Sequence, residues 1–90
     1  MNINIIQVED IIKYWGDKMP MLVMEESGEL IQAISKRERA NTVDKKEIAD
    51  KGLIDEIGDM YISLLAIRLY YGIDLFKIED RIKEKLNKKY

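Results

Sequence analysis

Ile5, Val8, Ile12 and Trp15 recur at helical spacing near the start of the chain, and Gly16 follows where a helix would close, so a first helix is predicted over residues 4–15. Pro20 suits the first turn of a second helix, because its missing N–H has no partner to lose there. That helix gathers Leu22, Val23, Leu30, Ala33 and Ile34 on one stripe and runs to Arg39. The segment from Ala40 to Gly52 is polar, with Asp44 a candidate N-cap for a short helical turn and Gly52 a candidate interruption. A third helix is predicted from Leu53 to Tyr71, with Leu53, Ile57, Met60, Tyr61, Leu64 and Ile67 as its stripe and Gly72 as its stop. Asp74 then caps a fourth helix whose apolar positions Leu75, Ile78, Ile82 and Leu86 lie three or four apart. The pattern predicts an all-α fold, a bundle of four to five helices forming a single domain over residues 1–90.

Composition sharpens this picture in two ways. Hydrophobic residues make up 47% of the chain against one Pro and five Gly, which favours long regular elements over disorder. A chain of 90 residues buries only a modest share of its surface alone, so a second copy is expected to complete the core, as a homodimer or homotetramer. The apolar run around Ile62 to Ile67 is far short of the roughly 18 residues a membrane span requires. The start Met1-Asn2-Ile3-Asn4 has no signal-peptide pattern. A cytoplasmic protein without membrane contact is therefore expected.

The chain contains neither cysteine nor histidine, so thiolate chemistry and the commonest general base are both excluded and carboxylates are the main candidates for chemistry. Residues 1–60 hold 8 bases against 13 acids and residues 61–90 hold 7 bases against 4 acids. An acidic body suited to cations thus precedes a basic tail suited to phosphates, or simply to water. The net charge of −2, with no aromatics interleaved among the bases, points away from a nucleic-acid partner.

The acids are placed unevenly. On helix two, at about 100° per residue, Glu26 projects into the middle of the apolar stripe, Glu29 sits on its border and Glu25 points toward solvent. On helix three Glu56 falls at the edge of the stripe and Asp59 just outside it. If the two helices lie antiparallel across the 40–52 connection, these four carboxylates converge. Clustered carboxylates repel and resist desolvation, which a bound Mg²⁺, or Mn²⁺ in its place, would relieve. The competing arrangement has Glu26 snorkelling or paired with a Lys or Arg from another helix or subunit, and Glu56 and Asp59 on the surface.

Glu25-Glu26-x-x-Glu29 followed by Glu56-x-x-Asp59 resembles the EExxE and ExxD signature of the MazG-like all-α nucleoside triphosphate pyrophosphohydrolase superfamily, over roughly residues 15–90. The resemblance implies Mg²⁺ ligation by Glu26, Glu29, Glu56 and Asp59, with Glu25 as an auxiliary acid or base. It also implies attack of water on the α-phosphorus of an NTP or dNTP to give the monophosphate and pyrophosphate. Lys83, Lys85 and Asn87 match in part the family's C-terminal phosphate and sugar contacts, although the expected terminal arginine is absent. Arg37, inward on helix two, and its neighbour Lys36 are alternatives for the substrate, and Trp15 is a candidate to stack on the base, if it is not core. Ser63, one turn beyond Asp59, is a weaker candidate. Two rival readings stand beside this one: a catalytically inert helical binding or regulatory subunit, and a di-iron carboxylate bundle, which the lack of histidine disfavours.

Overall fold

The computed structural model describes residues 2–89 and holds four α-helices and one 3-10 turn: α1 (Ile5–Trp15), the turn (Gly16–Lys18), α2 (Met19–Arg39), α3 (Val43–Tyr70) and α4 (Leu75–Lys89). The all-α expectation holds, and no strand occurs among the described residues.

Local chemistry explains most of the boundaries. Asn4 Oδ1 accepts the N–H of Ile6 at 2.9 Å and starts α1. Gly16, at φ +53, ends it, where a side chain would be strained. Pro20 lies in the first turn of α2, as predicted. At the end of α3, Gly72 at φ +64 allows the Ile73 N–H to reach Arg68 O and the Gly72 N–H to reach Leu69 O, the paired bonds of a Schellman stop. Asp74 Oδ1 accepts the Phe76 N–H at 2.9 Å at the head of α4.

The largest departure from the sequence pattern is at residues 40–52. These residues are not a connection. The link between α2 and α3 is only Ala40 to Thr42, and α3 runs unbroken through Gly52. The cap is Thr42, whose Oγ1 accepts the Lys45 N–H at 3.2 Å, rather than Asp44, which lies inside the first turn. A glycine in a helix interior costs only about 1 kcal/mol, which a helix of 28 residues accommodates.

The hairpin of α2 and α3 is the main packing unit, and α1 lies across its open end against both helices. There Val8, Met19 and Ala66 are buried, with Ile11, Ile12, Trp15, Leu22 and Leu65 packed around them. The face of α3 that does this packing is rotated from the predicted stripe. Ser63 and Ala66 are buried and Glu56 and Met60 half-buried, whereas Ile57, Tyr61 and Leu64 are 41–54% exposed. The C-terminal half of α3 is apolar on nearly every side, so its periodicity cannot select a face. Small residues settle the question by letting α1 and α2 approach closely.

Within the chain, α4 makes no extensive contact with any other helix. Leu75, Ile82 and Leu86 remain about half exposed. The radius of gyration, 15.8 Å, exceeds the roughly 12 Å of a compact chain of this length for the same reason.

Candidate metal centre and its cleft

Glu26 and Glu56 are equidistant in sequence from Asn41, at the turn of the hairpin, so antiparallel packing sets them opposite each other. Glu29 and Asp59 each sit one turn further along their own helix on the same side. One carboxylate oxygen from each of Glu26, Glu29, Glu56 and Asp59 lies within 4.8 Å of the others. Ser27 supports this crossing: its Oγ donates to Val23 O at 2.7 Å and approaches Met60 Sδ at 3.8 Å, joining the two helices between the acid pairs.

The four differ in exposure. Glu29 and Asp59 are exposed, while Glu26 and Glu56 are half-buried. Glu26 Oε2 and Glu56 Oε2 are shielded from water and have no hydrogen-bond partner. Desolvation raises the Glu26 carboxyl above its ordinary range, and the charges of Glu29, Asp59, Glu56 and Glu25 add to the shift. Glu56 is raised as well, first by desolvation and then by Glu29 and Asp59. Among the described residues no lysine or arginine of the same chain pairs with any of the four; the ion pairs there are Arg37–Asp50 and Arg81–Glu84. Within one chain, then, no base neutralises Glu26. Two unpartnered inward oxygens in a hard, all-oxygen donor set fit a small divalent cation, and this is the test the residues themselves provide.

Two cavities flank the cluster. The larger, about 740 Å³, opens toward the turn of the hairpin. Glu29 and Glu56 form its inner end, Ala33, Ala49 and Gly52 its floor, and Lys36, Arg39 and Lys45 line it further toward the turn. The smaller, about 250 Å³, lies on the core side and is lined by Glu26, Asp59, Trp15, Leu22, Ile62 and Ser63, among others.

The other sequence candidates fall as follows. Trp15 and Ser63 border the smaller cavity, although Ser63 is buried and its Oγ donates to Met60 O. Glu25 is exposed and outside the four-carboxylate cluster. Arg37 is on the inner side of α2, as expected, but it is paired with Asp50 and lines neither cavity. Lys83, Lys85 and Asn87 are exposed on α4, and neither cavity includes them. Within one chain they are not brought to the carboxylates. Sequence reasoning missed Gln32, Arg39 and Lys45, which line the larger cavity. With residues 40–52 read as a connection, Lys45 had no helical face to be assigned to. The spacing Glu29, Gln32, Lys36, Arg39 was the available signal for the other two.

Fold and site together define an all-α protein with a carboxylate cluster suited to a divalent cation. Residues 16–90 match the family model of the MazG nucleotide pyrophosphohydrolase domain, and the chain belongs to that family. No curated protein and no solved structure matches it.

Proposed function

We propose that the protein is a Mg²⁺-dependent nucleoside triphosphate pyrophosphohydrolase, with Mn²⁺ able to substitute, that cleaves NTPs or dNTPs between the α- and β-phosphates. The observation that carries this reading is the meeting of Glu26, Glu29, Glu56 and Asp59, with two inward oxygens unpartnered, in a chain of this family. These four residues would hold the cation. When bound, it neutralises phosphate charge and lowers the pKa of water.

In the reaction the water oxygen bonds to the α-phosphorus and the bond from that phosphorus to the bridging oxygen breaks. The electron pair leaves on the β-phosphate as pyrophosphate, and the proton lost by the water passes to a carboxylate. Glu25, exposed beside the cluster, is suited to take that proton to solvent. Trp15, half-buried at the rim of the smaller cavity, offers an aromatic face to the base. The absence of histidine is no obstacle, because none of these roles needs one.

We further propose that residues 1–90 act as one domain and that two copies pair. Ile54, Ile57, Tyr61 and Leu64 form a stripe at three-four-three spacing that the chain itself leaves uncovered, as it does the apolar face of α4. Pairing through these faces would finish the core.

The reaction is tested by measuring pyrophosphate and monophosphate release from a panel of canonical and modified NTPs and dNTPs, with and without Mg²⁺. Metal-dependent release is expected. Silence across the panel with Mg²⁺ binding intact would replace the enzyme by an inert helical binding subunit.

A further inference from the structure

The two helices of the hairpin carry the same order of side chains from the carboxylates toward the turn. On α2 the order is Glu29, Gln32 and Ala33, then Lys36 and Arg39; on α3 it is Glu56, Gly52 and Ala49, then Lys45. Each set keeps to one helical face, at spacings of three and four. Acids therefore stand at the inner end of the larger cavity, small residues leave room in its middle, and three cations face its outer part. None of the three cations has an acidic partner among the described residues, and all three are exposed.

Lys36 and Arg39 have a partial explanation within the fold, since cations complement the carbonyl end of α2. Lys45 has none. It lies in the first turn of α3, where the helix dipole and the free N–H groups are already positive and a lysine is unfavourable. A cation placed there, facing two others across an open cleft of about 740 Å³, makes sense against an anion with more than one charge. The cavity on the other side of the carboxylates is lined by no cation and presents Trp15 and aliphatic side chains.

We propose that the cleft at the turn end of the hairpin binds the β- and γ-phosphates of the substrate, and then the pyrophosphate product, on Lys36, Arg39 and Lys45. The triphosphate accordingly lies along the hairpin, its α-phosphate at the carboxylates and its nucleoside toward Trp15. The identity of the substrate presupposes the pyrophosphohydrolase reading; the anion site does not.

The test is calorimetric binding of magnesium pyrophosphate, and separately of nucleoside monophosphates with Mg²⁺, to the wild-type protein and to the Lys36→Gln, Arg39→Gln and Lys45→Gln variants singly and together. All three side chains are exposed, so the variants should fold, and circular dichroism checks that they do. Each single change should weaken pyrophosphate binding about tenfold, and the triple change more, with monophosphate affinity held within about twofold. Pyrophosphate that fails to bind wild type, or binds the triple variant equally well, overturns the proposal. Loss of monophosphate affinity with pyrophosphate binding retained reverses the orientation and overturns it too. Turnover of triphosphates without these binding changes would sink the anion site and leave the enzymatic reading intact. The binding changes without any turnover would do the opposite.

Discussion

The α2–α3 hairpin and α4 are both amphipathic helical structure, yet the chain satisfies only the first. The hairpin covers its inner face with its own partner helix and with α1, and the four carboxylates lie on the seam. In α4, Leu75, Ile82 and Leu86 stay about half exposed on an apolar face that no other helix among the described residues packs against extensively. Burial within one chain follows from the short connection: Ala40 to Thr42 forces α2 and α3 together, whereas the stop at Tyr71 to Asp74 directs α4 away. An amphipathic pattern states that a face needs covering, and the turn decides whether the chain itself can cover it.

Substitutions in the two regions should have very different consequences. The largest effect is expected at the seam: Glu26→Gln or Asp59→Asn should lower turnover more than about a hundredfold while leaving helicity unchanged, as steady-state kinetics beside circular dichroism would show. Activity indifferent to both changes would remove these residues from the site. Next comes the core, where Met19 is fully buried. Met19→Ala should cost about 2–5 kcal/mol in urea unfolding, whereas Leu86→Ala, measured on dilute protein, should cost under about 0.5 kcal/mol. Replacing Leu75, Ile82 and Leu86 together by Ser should instead shift light scattering toward the 10.6 kDa monomer. A wild-type protein that already scatters as a stable monomer would end the pairing proposal.

A subtler effect is linked to pH. Glu26 and Glu56 hold protons more tightly in the fold than an ordinary carboxyl does. The folded chain therefore binds more protons than the unfolded one, and stability from these groups is present at acid pH and lost as pH rises through their raised values. In the presence of a chelator, the melting temperature of wild type should exceed that of the Glu26→Gln, Glu56→Gln variant less at pH 7 than near pH 5, and added Mg²⁺ should restore wild type at pH 7. A small effect of opposite sign is expected at Gly58, where a Cβ would meet nothing within 4 Å. Gly58→Ala should stabilise by about 0.5–1 kcal/mol in thermal melts; a loss would mean that another copy packs there.

Much of the candidate site is legible in the sequence. Glu26 stood out because a carboxylate in the middle of an apolar stripe conflicts with burial unless something compensates, and both acid pairs were assigned to facing helices. The substrate side was less legible. Arg37 was chosen for its inward position, but an inward arginine can satisfy itself on a neighbouring acid, and Asp50 supplies one. The pattern offers Lys36 only as an alternative and singles out neither Arg39 nor Lys45. Residues from two helices line one cavity only once the register of the hairpin is fixed, and the sequence pattern starts helix three at Leu53, ten residues after its actual start at Val43.

Apart from the start of α3 and its Thr42 cap, the helices, their glycine and Asp74 boundaries and the acid pairs are legible in the sequence, because they depend on interactions within a turn or two of the chain. Asn4, Gly16, Pro20, Gly72 and Asp74 act on backbone groups next to them. Only the tertiary structure decided which side of α3 is inside, what lies beyond the carboxylates and that α4 stands apart. The C-terminal half of α3 is apolar nearly all round, so close approach at Ser63 and Ala66 selected the face. The cavities and the uncovered stripe are properties of two or three helices in one particular register, and no local pattern encodes them.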